Sequence, residues 1–340
     1  MTTHIDFDIF DGHNDLAYQL WQRADYTGAA FLDNDEAVLG ITAHKASAGG
    51  LRAGLFALFV PQQGKNLATK SLTQQTYAFE TACQMAAILN QLSDDHPSRF
   101  QVCRTATEID AATHAGALAA VLHLEGAEAI SPALDELNIF YALGVRSIGP
   151  LWSRPNSFGT GVPFSFPGNP DQGSGLTDAG KALVKACNQM NILLDVSHLN
   201  EAGFWDIARL SQHPLLASHS NAHTLCPSPR NLTDRQIDAI AESGGLVGVC
   251  FATAYLRSDG RKDKATNIEL IIRQLAYLID KMGEDHVGLG SDFDGAVLPD
   301  VLADCSQLPV LIMALQTHGF GDRLIRKLCW DNWYQQIRRL

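Results

Sequence analysis

An eightfold alternation constrains the fold of this chain more than any other feature. Short runs rich in β-formers recur at Ile5–Phe10, Leu51–Val60, Ala119–Leu124, Val145–Leu151, Ile192–Val196, Pro214–Ser218, Leu246–Phe251 and His286–Gly290. Between most of them lies a segment with helical periodicity: Thr73–Leu92, Pro132–Leu143, Thr177–Met190, Glu201–Leu210, Asp234–Glu242 and Ile268–Met282. Thr233 with Gln236 forms a capping-box signature ahead of the fifth of these. Strands separated by helical crossovers pair in parallel. Eight such units with no compositional break predict a single (β/α)8 barrel spanning residues 1–340. Helical segments at Leu308–Gln316 and Asp322–Ile337 add an extra C-terminal helix to the α/β repeat. The first crossover, Leu16 to Gly50, carries little helical signal. A doubly wound open sheet is the structural alternative, but no Gly-x-Gly-x-x-Gly follows an early strand to mark a dinucleotide site.

The polar residues fall at the strand ends. His13 and Asp15 follow the first strand in Asp11-Gly12-His13-Asn14-Asp15, Glu125 closes the third, His198 the fifth, His219 the sixth and Asp292 the eighth. In a barrel the carboxyl ends converge on one mouth, where active sites of this fold lie. Unpaired buried charge is costly, so such groups pair, neutralise or bind cations. Imidazole and carboxylate suit zinc, and also manganese, cobalt or nickel. Five ligands that include carboxylates suggest two ions. Glu125, central in strand order, suits a bridge between ions roughly 3.5–4 Å apart. His123 and His223 lie near the mouth in sequence and read as core or loop residues.

Net charge is −12 and 46% of residues are hydrophobic. That balance excludes nucleic-acid and anionic-membrane binding, both of which need a basic surface. Seven scattered cysteines without a Cys-x-x-Cys pair read as free thiols. No signal-like N-terminus, spanning segment or lipid-anchor tail is evident, so a cytoplasmic location is expected.

Asp11–Leu16, Glu125-Gly126, Asp195–His198, Ser218–Ser220, Arg230-Asn231 and Gly290–Gly295 together resemble the membrane (renal) dipeptidases, peptidase family M19 of the amidohydrolase superfamily. The motifs occur in family order from residue 6 to about 333. The resemblance implies a dipeptidase with two zinc ions per chain, bridged by Glu125 and a hydroxide that attacks the peptide carbonyl. His13, Asp15 and Glu125 would hold one ion, and Glu125, His198 and His219 the other. Arg230 would grip the substrate's terminal carboxylate, and Asp292 would serve as acid and base. Tolerance of a D-residue at the C-terminal position and a homodimer are also implied.

The chain departs from that pattern at Leu151–Asn156, where Trp152 replaces a His that contacts the scissile carbonyl in many members. Trp152 is either rim packing or a pocket wall, and Asn156 beside it is a second candidate substrate contact. The Gly/Pro-rich loop Arg154–Gly175 is a lid or a dimer contact. Two rival functions stand beside the dipeptidase. One is another metal hydrolase on the same barrel, such as a lactonase, deaminase or N-acyl amino acid hydrolase. Such relatives commonly begin with His-x-His, whereas this chain has His-x-Asp. The other is a non-catalytic barrel.

Overall fold

The computed structural model describes residues 7–33, 39–62 and 74–340. Ile5 and Asp6 of the first expected strand, and Thr73 of the long helix, lie outside the described residues. Eight parallel strands form: β1 (Ile9–Asn14), β2 (Leu51–Phe59), β3 (Leu118–Glu125), β4 (Val145–Gly149), β5 (Leu193–Leu194), β6 (Leu216–Ser220), β7 (Leu246–Val249) and β8 (Val287–Leu289). Hydrogen-bonded neighbours run β5-β4-β3-β2-β1-β8-β7-β6. The two outer members meet where Asp195, just past β5, bridges in parallel to Leu216 of β6. The Val196 amide donates to the Leu216 carbonyl at 2.7 Å at the same place. The sheet thus curls into the expected (β/α)8 barrel.

The first strand is displaced from its expected bounds. It runs through Asp11, Gly12, His13 and Asn14, because Ile9 to Asn14 pair with Leu51 to Phe56 of β2 and Asp11 pairs with Leu289 of β8. The first crossover contains three short helices, Leu16–Gln22, Ala29–Leu32 and Ala43–Gly49. A short strand, Phe100–Val102, pairs with the start of β3. It leads into a helix, Ala106–His114, whose cap is the Thr105 side chain accepting from the Glu108 amide. The helices Asp178–Met190, Glu201–Leu210 and Asp234–Glu242 match their expected positions, and Thr233 and Gln236 make the reciprocal capping box.

The C-terminal helical segment plugs the amino end of the barrel. Phe10, Leu55, Val121, Leu216 and Leu246 cluster there with Trp333. The Trp333 ring stacks on Phe10 at 5.6 Å, and its indole N–H donates to the Leu289 carbonyl at 2.8 Å. A Cβ on Gly12 would sit 2.3 Å from that indole and 2.5 Å from the Ser218 carbonyl, so only glycine fits this crossing. With the amino end closed, the carboxyl end is the open mouth.

Candidate metal centre and substrate cavity

Four strands deliver the ligand-type side chains to one point. The His198 Nε2 lies 3.0 Å from Glu125 Oε1, the His219 Nε2 3.5 Å and the His13 Nε2 3.6 Å. His13 Nε2 is also 3.5 Å from Asp15 Oδ2. The Nε2 atoms of His198 and His219 approach to 3.1 Å. Two overlapping groups have donor atoms close enough for one cation each: His13, Glu125 and His219, and His13, Asp15 and Asp292. Among the described residues, neither ring nitrogen of the fully buried His13 has a hydrogen-bond partner. An orphaned buried imidazole is costly, and a cation among these nitrogen and oxygen donors would satisfy it. The residues present therefore fit a zinc-type centre.

The backbone is shaped for this placement. His198 and Asp292 adopt left-handed φ values of 66° and 64°, and Asp294 one of 68°. Such conformations in residues other than glycine cost on the order of 1–3 kcal/mol each and concentrate at functional sites. Asp294 is held by the Gly40 and Ile41 amides, which donate to its carboxylate at 2.6 and 3.1 Å. Asp11 anchors the opposite side by accepting from the Ser291 amide at 2.7 Å and from its hydroxyl at 2.8 Å.

A layer beneath the centre fixes the imidazoles. The Ser218 hydroxyl donates to Asp195 Oδ2 at 2.5 Å and lies 2.7 Å from His219 Nδ1. With its proton committed to the carboxylate, Ser218 accepts from Nδ1–H, which leaves the Nε2 lone pair facing Glu125. Asp195 also accepts from the Ser197 and Ser218 amides at 2.9 and 2.8 Å. Ser153 lies 2.7 Å from His198 Nδ1. His123 belongs to this layer, with Nδ1 2.9 Å from the Ser147 hydroxyl and Nε2 3.4 Å from Asp195. His223 is a loop residue on the Gly168 carbonyl, at 2.7 Å.

Burial governs the charge states. It pushes the His13 pKa down to about 4 and takes His198 and His219 well below the usual range, with nearby cationic groups adding to the effect. Neutral imidazole is the ligating form. Burial raises Asp15 to about 7 and Asp292 to about 6. It also raises Glu125 well above the carboxylate range, with the Asp15 and Asp292 charges adding to it. Burial opposes ionisation of Asp195 too, but His123 and three hydrogen bonds outweigh it and hold that carboxyl below its ordinary value.

A cavity of about 430 Å³ opens over the centre, lined by Asp15, Glu125, His198, His219, Arg230 and Asp292 among others. That volume lies within the ~300–1,000 Å³ of small-molecule sites. Arg230 is buried, and its guanidinium donates to the Ser220 hydroxyl at 3.1 Å and the His219 carbonyl at 2.8 Å. Its Nε has no partner. Trp152 lines the cavity, as a pocket wall would. Asn156 is not among its lining residues. Its amide donates to the Pro150 carbonyl and accepts from the Phe158 amide, both at 2.8 Å, so the side chain is used up in shaping its own turn. Sequence reasoning missed Tyr18, Phe59, Phe164 and Tyr255, which also line the cavity, and the supports Ser153, Ser218 and Asp195. Of these, Ser218 and Asp195 stand inside the strand-end motifs and were open to detection.

Imidazoles and carboxylates gathered at the carboxyl ends of barrel strands are the arrangement of a metal-dependent enzyme. The chain belongs to the membrane dipeptidase family, peptidase family M19, whose model matches residues 2–339. It is similar to the metallopeptidase "dipeptidase AC", at 46% identity and TM-score 0.93 over 98% of this chain and 99% of that one. It is equally similar to a Rhodobacter sphaeroides metallopeptidase crystallised with a phosphinate mimic of the dipeptide L-Ala-D-Ala, at 45% identity, TM-score 0.92 and the same coverage. An uncharacterised Klebsiella pneumoniae protein from the pqqA 5′ region is 50% identical over 76% of this chain and 95% of its own length. The protein is accordingly a metallopeptidase. Among the described residues no helix is long and apolar enough to cross a membrane.

Proposed function

We propose that residues 1–340 form one catalytic barrel that hydrolyses dipeptides, including those with a D-residue at the C-terminal position, using two zinc ions. The observation that carries this reading is the convergence of three imidazole Nε2 atoms on one Glu125 oxygen within 3.0–3.6 Å. His13, Asp15 and Glu125 would hold one ion and Glu125, His198 and His219 the other. Bound there, zinc supplies a water of lowered pKa as nucleophile and a Lewis acid for the carbonyl oxygen.

The chain's own residues do the rest. Asp292, at the cavity wall, takes the proton of the attacking water and passes it to the leaving amine. A carboxyl whose pKa burial lifts to about 6 is suited to both halves of that transfer. Arg230 has five N–H donors, of which protein atoms take two. The remainder can bind the substrate's terminal carboxylate with the paired geometry a lysine lacks. Arg230 thereby places the scissile bond one residue from the chain end, which restricts cleavage to dipeptides. The phosphinate mimic of L-Ala-D-Ala bound by the Rhodobacter sphaeroides relative supports the D-residue in second position. The seven free cysteines, six of them buried, support a reducing cytoplasm.

A screen of L–L, L–D and D–D dipeptides against zinc-loaded protein tests the proposal, together with metal analysis. Turnover of L–D dipeptides at about two zinc per chain is expected. No turnover of any dipeptide would overturn it.

A further inference from the structure

Part of the cavity wall is a continuous run of aromatic rings. Tyr18 meets Phe59 edge-on at 5.5 Å, Phe59 meets Trp152 at 5.0 Å, and Trp152 meets Phe164 at 5.1 Å. All four line the cavity. The rings belong to different segments, so their alignment is made by the fold and not by one local motif. The wall stands over one side of the centre. Trp152 and Phe164 pack on the His198 ring at 5.8 and 6.4 Å, and Asp15 raises the Tyr18 pKa electrostatically, after burial. Arg230 is bonded to the His219 carbonyl and lies 5.8 Å from the Tyr255 ring.

We infer that this wall is the side-chain site for the first residue of the dipeptide and that it selects a large apolar, above all aromatic, side chain. The inference rests on the dipeptidase reading. With the terminal carboxylate at Arg230 and the scissile carbonyl over the centre, the first residue extends toward His198 and Asp15, where the rings stand. Aromatic faces and edges favour another ring through area burial and edge-to-face contact.

The surroundings decide against a cationic side chain, which such rings would otherwise also attract. The wall already has its cation. The Arg154 guanidinium carbon lies 5.1 Å from the Trp152 ring and 5.8 Å from Phe59, and it is fixed by Glu128 at 2.8 Å. Arg154 is paired, but Lys262 lines the same cavity, so a second positive group would meet a like charge there. A carboxylate side chain would lose hydration against apolar rings while Arg154 is already paired. Phe164 is 53% exposed at the rim, so a bound ring would cover apolar surface that is otherwise wet. The substitution of Trp152 for a polar residue is thereby given a role in choosing the substrate.

The test uses the zinc-loaded enzyme and two substrate series, one varying the first residue before D-Ala and one varying the second residue after L-Ala. Phe, Leu, Ala, Lys and Glu serve in each. The expected result is a kcat/KM for Phe-first substrate at least about tenfold above Ala-first and above Lys-first, because burial of a ring is worth well over a factor of ten. The second-residue series should show no comparable preference for Phe. In Phe164→Ala, where the exposed side chain makes loss of folding no concern, the Phe-to-Ala ratio should fall by about fivefold. In Trp152→Ala it should fall further. A flat first-residue series, a preference that follows the second residue, or an unchanged ratio in both variants overturns the inference while leaving the dipeptidase standing. No turnover of any member of either series overturns both.

Discussion

Gly295 is the most exacting probe of the centre, because a single methyl group there reaches two of its carboxylates. A Cβ at this position would lie 2.0 Å from Asp15 Oδ2 and 2.6 Å from Asp292 Oδ1. Ordinary contact begins near 3.4 Å, so the Asp15 oxygen has to retreat by roughly 1.4 Å and that of Asp292 by roughly 0.8 Å. A misplacement of ~1 Å at a reacting centre costs on the order of 10²-fold in rate. Two displaced carboxylates should cost at least that in Gly295→Ala. Overpacking of a buried site typically costs about 1–3 kcal/mol of stability, which leaves a folded protein to measure. The assay is kcat/KM on an L–D dipeptide, with zinc per chain by mass spectrometry and Tm by calorimetry. The control is Gly321→Ala, where a Cβ meets nothing within 4 Å. The variant should fold, carry fewer than two zinc and lose about 10²-fold or more in kcat/KM. Wild-type zinc content and kcat/KM in a folded Gly295→Ala would refute the claim that Asp15 and Asp292 work from these positions.

Four further outcomes are expected. Asp292→Asn should retain its metal and lose ~10²–10⁴-fold in kcat; an unaltered kcat removes Asp292 from proton transfer. Arg230→Ala should lower kcat/KM for free dipeptides by about 30-fold or more and matter much less for dipeptide amides, so an equal loss on both counts against carboxylate recognition. Ser218→Ala removes the acceptor of His219 Nδ1–H and should weaken zinc affinity by about 10–100-fold in a chelator competition, whereas unchanged affinity would make that serine a bystander. Trp333→Ala should destabilise the barrel by about 3–5 kcal/mol, seen as a lower denaturation midpoint, since it empties a fully packed plug.

Parts of the molecule were legible in the sequence for identifiable reasons. The runs at Leu51, Leu118 and Leu246 are apolar on both faces, as strands of a parallel barrel must be. The cap Thr233 announced its helix through side-chain chemistry alone. The strand-end polar residues could be expected to meet because a barrel brings all carboxyl ends to one rim. The strand Phe100–Val102 was not legible, since three residues carry no period. The helix after it was more accessible, through Thr105 and Glu108, and was overlooked. The aromatic wall and the Ser153–His198 contact depend on how segments far apart in the chain converge, and no spacing rule encodes that. Asn156 is the opposite case. Its nearness to Trp152 along the chain suggested a shared role, but the backbone turn between them sends the two side chains to different tasks.

The position of Glu125 has a mechanical consequence. One oxygen on β3 faces imidazoles from β1, from the segment after β5 and from β6. An occupied centre would therefore act as a staple across the lumen, tying residue 13 to residue 219 in a ring that closes through the pairing of Asp195 with Leu216 and the Ser218–Asp195 hydrogen bonds. Ligands that bind only the folded state add RT ln(1 + [L]/Kd) to its stability. Metal supply would then shift the stability of the fold as well as its activity.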